Sequence, residues 1–279
     1  MRQKTRKQLS VTIVVAALML CLFCSCSLCS AKEQDMLSPK EETSEDVQDA
    51  EDPIPTRMVT KKDGYTYILD DFSDKMTSQF IEWEGRTYYT DKKGRVAKGW
   101  QKIEDNYYFF SRKNGSMQVD KKIDGIRLKK DGTVKQTIYN KDKIETMITA
   151  RKLMEKHTNP TDSKKVKLKK CFKWLFHFPY HRYRTLRSGR KYSGWEMKFA
   201  NDIFKRKDGC CVSEACAFAF LAKECGARKV YVCDDTEHAW TESGGRVYDP
   251  LFAEAKSFRK NYNVSYRTYR LHAVHRKKI

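Results

Sequence analysis

Proline and glycine are scarce in this 279-residue chain, at 6 and 13 residues, which excludes a collagen-like or proline-rich extended chain. Acidic residues are missing from residues 1–31, where the only charged groups are Arg2, Lys4, Arg6 and Lys7. Aromatic residues are missing from residues 32–56, so that stretch has little with which to nucleate a core. Among the cysteines beyond residue 31 there is no Cys-x-x-Cys pair, which removes the usual spacing signature of a structural zinc site. The rest of the chain is well supplied: hydrophobic residues make up 40% and aromatics 12%, enough to rule out a wholly disordered protein.

Charge is abundant and unevenly placed. The chain has 56 Lys+Arg against 36 Asp+Glu, a net charge of +20. Residues 141–279 hold 32 basic and 15 acidic groups, whereas residues 32–140 are nearly neutral. One basic half and one neutral half imply two domains with different partners.

The basic cluster Arg2 to Lys7, the uncharged run Val11 to Cys24 and the small residues ending at Ala31 are the three parts of a secretory signal peptide. A retained membrane anchor is the second reading of residues 1–31, since the uncharged run is long enough to span a bilayer. A lipidated cysteine ranks third, because Phe23-Cys24-Ser25-Cys26 lacks a leading leucine. Residues 32–56, with nine carboxylates from Glu33 to Asp52 and with Pro39, Pro53 and Pro55, are expected to be a solvated, disordered linker.

Residues 57–136 repeat. Gly64, Gly85, Asp105 and Gly125 mark four units about twenty residues apart. Each unit has a turn, an aromatic strand and a second turn such as Asp91-Lys92-Lys93-Gly94, which predicts stacked β-hairpins. Through Gly99-Trp100-Gln101-Lys102-Ile103, Tyr107-Tyr108-Phe109-Phe110 and Gly115-Ser116-Met117, this stretch resembles the choline-binding or glucan-binding repeats of Gram-positive surface proteins. The resemblance implies that aromatic rings of neighbouring hairpins hold a choline head group or stack on sugars. It makes Trp83, Tyr88, Tyr89, Trp100, Tyr107 and Tyr108 the candidate wall-binding residues. The alternative is that these rings only hold the hairpins together. The Gly-Trp pair occurs once and is replaced a unit later by Asp120-Lys121, which argues against a complete choline box.

Residues 141–279 carry the candidate chemistry. Helical patterns run from Lys141, over Lys164 to Phe176 and through Trp195, Phe199 and Ile203, and a buried helix spans Cys211 to Cys225 before Gly226. Cys211 follows the Lys207-Asp208-Gly209 turn and opens that helix, where unpaired N–H groups and the macrodipole favour a thiolate. Three strands follow, with a Ser243-Gly244-Gly245 turn placing His238 and Asp249 on neighbouring strands. A nucleophile, a base and an orienting carboxylate thus occur in the order Cys, His, Asp.

Gly209-Cys210-Cys211, His238 with Trp240, and Asp249 with Pro250 resemble the transglutaminase-like superfamily. The resemblance implies an α+β, papain-like core and a thioester intermediate. In it Cys211 attacks an amide carbonyl, His238 carries the proton and Asp249 orients the imidazole, with no cofactor and no metal. Cys210 competes for the nucleophile role, and the Gly-x-Cys register favours Cys211. Six cysteines remain beyond residue 31; with Cys211 free the others are odd in number, so disulfides do not define the fold.

The combined expectation is an exported, cell-wall-associated cysteine acyltransferase with protein or peptide substrates. A peptidase or amidase using the same triad and a non-catalytic wall-binding or adhesion protein are the alternatives. The expected partners include wall glycan or teichoic acid. Export disfavours nucleic acid as the partner of the basic half, and a membrane would be met only through an uncleaved signal segment.

Overall fold

The computed structural model describes residues 53–279. The signal segment 1–31 and the acidic stretch as far as residue 52 lie outside the described residues. Among those described, secondary structure is mixed helix and sheet.

Four two-stranded antiparallel hairpins come first. They are β1 (Pro55–Thr60) with β2 (Thr66–Asp70), β3 (Phe80–Trp83) with β4 (Arg86–Tyr89), β5 (Gly99–Ile103) with β6 (Asn106–Phe110), and β7 (Lys122–Ile123) with β8 (Ile126–Arg127). At Glu84-Gly85 and Asp124-Gly125 both central residues have positive φ, the geometry whose twist matches the flanking strands. Successive hairpins are joined by main chain: the Val96 N–H donates to Thr66 O at 2.8 Å, and one unit later the Met117 N–H donates to Thr87 O at 2.7 Å. Pro55 and Thr56, expected in the linker, open β1 instead. Thr56 Oγ1 donates to Asp70 O at 2.6 Å, and proline is tolerated at the first position of an edge strand.

Helix α1 (Ile138–His157) starts before the predicted Lys141, because the Thr137 hydroxyl caps it by accepting from the Asn140 N–H. Then follow α2 (Lys164–Trp174), the single turn α3 (Leu186–Gly189), α4 (Trp195–Asn201) and α5 (Cys211–Glu224). Helix α5 is buried along nearly its whole length, as its Ala, Cys, Phe and Leu on every side require. It packs against a five-stranded antiparallel sheet in the order β12-β11-β10-β9-β13. These strands are β9 (Val230–Asp234), β10 (Ala239–Ser243), β11 (Arg246–Tyr248), β12 (Tyr262–Val264) and β13 (His275–Lys278), with α6 (Pro250–Ala255), α7 (Phe258–Asn261) and α8 (Tyr266–Tyr269) between them. The six described cysteines are all buried free thiols.

By its contacts the described part of the chain is one compact unit. Trp100, Tyr107 and Phe109 of the third hairpin and Ile126 and Leu128 of the fourth share a continuous core with α1, α2, α4 and α5. Only the first two hairpins keep a cluster of their own, made of Ile68, Met76, Ile81, Tyr88 and Val96.

Candidate active site

The local sequence around Cys211 is set by close packing. Tyr180 pairs with Gly209 in a parallel bridge, the His181 N–H donating to Gly209 O at 2.7 Å. A Cβ on Gly209 would lie 2.5 Å from the Ser213 Cβ and 2.9 Å from the Ile203 Cδ1, so only glycine fits beneath the start of α5. Cys210 is the N-cap residue and Cys211 the first helical residue.

His238 and Asp249 meet. His238 Nε2 lies 2.7 Å from Asp249 Oδ2, and both side chains are buried. The contact fixes the tautomer: with Asp249 as acceptor, Nε2 carries the proton and Nδ1 is the basic ring nitrogen. The two residues do not stand on the strands themselves, as predicted, but one residue beyond them. His238 precedes β10 and Asp249 follows β11, where it caps α6 by accepting from the Phe252 N–H at 3.0 Å. For Asp249 the physical reason is Pro250, which has no N–H to continue the ladder and suits the first position of a helix; His238 is held in the turn before β10, its N–H donating to Asp235 Oδ1 at 2.8 Å.

Two residues missed by sequence reasoning complete this pair. The Tyr269 hydroxyl donates to Asp249 Oδ2 at 2.7 Å, and the Phe252 ring lies flat on the imidazole with centroids 4.0 Å apart and planes 10° apart. Burial, then the Asp249 charge, pushes the Tyr269 hydroxyl far above its ordinary range, so it stays a donor. Tyr269 is twenty residues from its partner and carried no local signal; Phe252 sits one helical turn after Asp249 and was within reach of a capping argument.

The helix and strand bring Cys211 alongside. Thr241 Oγ1 donates to Ala215 O at 2.7 Å, pinning β10 to α5. Stepping back two residues along the strand and four along the helix covers about 6 Å on each, which sets Ala239 beside Cys211. The Ala239 N–H accordingly stabilises the Cys211 sulfur as a thiolate. Cys211 and His238 do not hydrogen-bond to each other in this arrangement.

The expected lowering of the Cys211 pKa falls on its neighbour. The Cys210 thiol is brought down to about 5, first by a hydrogen bond from Cys211 and then, against the cost of burial, by the N–H groups of Ser213 and Val212. Cys211 is pushed up by the same hydrogen bond and by burial. The N-cap position explains this: the Cys210 sulfur occupies the place of a capping oxygen, facing the second and third helical N–H groups without closing a true cap bond. The two sulfurs titrate as a unit that gives up one proton easily and holds the other. Ser213 Oγ donates to Asp202 Oδ2 at 3.0 Å, and Arg184 holds both oxygens of Asp202, at 2.7 and 2.9 Å.

One turn into α5, Glu214 is buried with Oε2 unpartnered. Burial, then Glu254 and Asp249, pushes its carboxyl up to about 9, so it is protonated at neutral pH.

The six aromatic residues marked for wall binding separate into two groups. Trp100 and Tyr107 are each 1% exposed and Tyr88 is buried too, so these three are packing residues. Trp100 Nε1 donates to Asp124 at 3.1 Å and the Tyr107 hydroxyl to Glu145 at 2.7 Å, both inside the molecule. Trp83 is half-buried against the first cluster. Tyr89 and Tyr108 are half-buried and both pack against Phe80, whose ring centroid is 5.0 and 5.2 Å from theirs. Phe80, 42% exposed, was not among the expected residues, and it makes this junction of the second and third hairpins an open aromatic patch.

Among the described residues no cluster of His, Cys, Asp and Glu is arranged to hold a metal, and no helix is long and apolar enough to cross a membrane.

No family model matches the chain, and no curated protein matches it. Among solved structures, choline binding protein F from Streptococcus pneumoniae is similar at 22% identity and a TM-score of 0.27, over 28% of each chain. The choline binding domain of Spr1274 in Streptococcus pneumoniae is similar at 21% identity and 0.27, over 29% of this chain and 95% of that one. The modular Cpl-1 endolysin complexed with a peptidoglycan analogue is similar at 15% identity and 0.27, over 32% of this chain and 27% of that one. The chain thus spans little more than a quarter of choline binding protein F.

Proposed function

We propose that this chain is an exported, cell-wall-associated cysteine enzyme that transfers or hydrolyses an acyl group through Cys211, His238 and Asp249 on a papain-like α+β core. The observation that carries the reading is the buried His238–Asp249 hydrogen bond, doubled by Tyr269, beside the first turn of α5. A carboxylate held in place by a second donor keeps the imidazole it faces in one tautomer, which is what a general base requires. In the reaction His238 Nδ1 takes the Cys211 thiol proton as sulfur attacks an amide carbonyl, then gives it to the leaving amine. The thioester is resolved by an amine, giving a cross-link, or by water, giving hydrolysis. The Cys211 N–H at the helix start is the oxyanion donor available from this chain. The wall association is supported by the hairpin repeats and the aromatic patch at Phe80, Tyr89 and Tyr108.

The test is labelling of the folded protein with a peptidyl electrophile selective for activated thiols, followed by mapping. Labelling at Cys211 that drops at least tenfold in His238→Ala, and less in Asp249→Ala, is the expected result. Labelling at Cys210 would move the nucleophile by one residue. Labelling no faster than that of the unfolded chain would leave the second reading, a wall-binding protein without catalysis, which the exposed Phe80 patch favours.

A further inference from the structure

The hairpins and helices meet along a cleft of about 420 Å³ that no catalytic residue lines. Its floor is the C-terminal end of α5, whereas Cys211 stands at the N-terminal end of the same 14-residue helix, about 20 Å away. The walls come from the first three hairpins on one side and from α1 and α2 on the other.

Three carboxylates face the cleft, and all three are already paired. Glu224 takes Arg112 at 2.6 Å and Arg151 at 3.3 Å, Glu155 takes Arg151 at 3.0 Å, and Asp91 takes Arg95 at 2.6 Å. Three lysines of the lining, Lys98, Lys152 and Lys167, form no ion pair among the described residues. Lys167 Nζ reaches only a neutral carbonyl, Pro160 O, at 2.9 Å. Lys98 is half-buried, and burial, followed by the like charges of Arg151 and Lys167, lowers its ammonium pKa. Lysines without an ion pair in a half-enclosed cleft, beside an arginine whose carboxylates are already shared, are suited to an anionic group. Tyr65 and Tyr89 line the same cleft and offer a surface to an uncharged unit next to that anion.

We propose that this cleft binds a phosphodiester-linked anionic polymer, with one phosphate held between Lys98 and Lys167 and the adjoining sugar or alditol against Tyr65 and Tyr89. Lysine suits this role as a compact point charge able to approach any phosphate oxygen. The choice of polymer rests on the wall-associated reading, whereas nothing in the site depends on the cysteine chemistry. Bound there, the polymer would hold the chain at the wall with the start of α5 left open.

The test uses the full chain and a short poly(glycerol phosphate) oligomer, with binding followed by titration calorimetry at several salt concentrations. Lys98→Gln/Lys167→Gln should weaken binding about tenfold or more and flatten the log–log salt dependence by about two ion contacts. Lys169→Gln/Lys173→Gln, which changes two α2 lysines lying over Phe258, should change it less than about twofold. Lys98→Arg/Lys167→Arg should restore binding, and inorganic phosphate should compete weakly, so a Gln pair that misfolds leaves two readouts standing. Equal loss in both Gln pairs, or no loss in the cleft pair, would overturn the site. Equal binding of polyglutamate with matched charge would overturn the phosphate assignment. Cys211 labelling is followed in parallel: a chain that binds the oligomer but takes no label fails the enzyme reading alone, and one that takes label but ignores the oligomer fails this site alone.

Discussion

The first two hairpins and the last two are built from one repeat and end in different environments. The first pair closes over its own cluster around Ile68, Ile81 and Tyr88. The second pair gives its large side chains, Trp100, Tyr107, Phe109, Ile126 and Leu128, to the core that also holds α5. Polar contacts follow the same division. Arg112 and Asp124 of the later hairpins join Glu224 and Lys223 of α5 in a buried network, whereas Arg95 and Asp91 in the second hairpin make a partly exposed pair within one turn. A stacked hairpin has two faces, and what it is worth depends on what the neighbouring element puts against them.

The sharpest way to break this comparison is Trp100→Ala. It deletes a buried ring and leaves Asp124 without its indole donor, so a loss of about 4–5 kcal/mol is expected. In denaturant the cysteine pair should unfold in the same transition, followed as loss of the lowered Cys210 pKa. Ile81→Ala in the first cluster should cost about 2–4 kcal/mol and leave the pH profile of thiol alkylation unchanged. If Trp100→Ala spares that profile, the shared core is not one cooperative unit.

Next in size is Glu224→Ala, which leaves Arg112 with Asp124 alone and Arg151 with Glu155 alone at the end of α5. About 3 kcal/mol of destabilisation is expected by chemical denaturation. A cost under about 1 kcal/mol would mean that water already screens the network.

Glu214→Gln should stabilise the protein by about 1–3 kcal/mol near pH 8 and by nothing near pH 4. The sign follows from a carboxyl raised to about 9 in the folded state against an ordinary 4.5: between those values the folded state binds the extra proton, so wild-type stability falls as pH rises. Thermal unfolding of both proteins from pH 4 to 9 decides it, and parallel curves would mean that Glu214 ionises normally. The smallest effect is at the exposed end of the comparison. Arg95→Ala should cost under about 1 kcal/mol because its ion pair with Asp91 is a third exposed on both sides.

Local chemistry made much of this protein legible in its residues alone. The period of the turns, the start and end of α5, the hairpin before Asp249 and the Cys-His-Asp order all rest on interactions within a few residues, where spacing and turn chemistry act directly. What needed the tertiary structure acts across long separations. The burial of Trp100 and Tyr107, the core shared by repeats and helices, the Tyr269 hydroxyl on Asp249 and the cleft lysines all depend on which surfaces meet. Aromatic residues look the same in a sequence whether they will face a ligand or a helix, because burial belongs to the partner as much as to the residue. The titration of the cysteine pair shows the same limit at one residue's distance. That a helix start favours a thiolate follows from Gly209-Cys210-Cys211, but only the folded backbone decides that the capping sulfur belongs to Cys210 and that the Ala239 N–H faces Cys211.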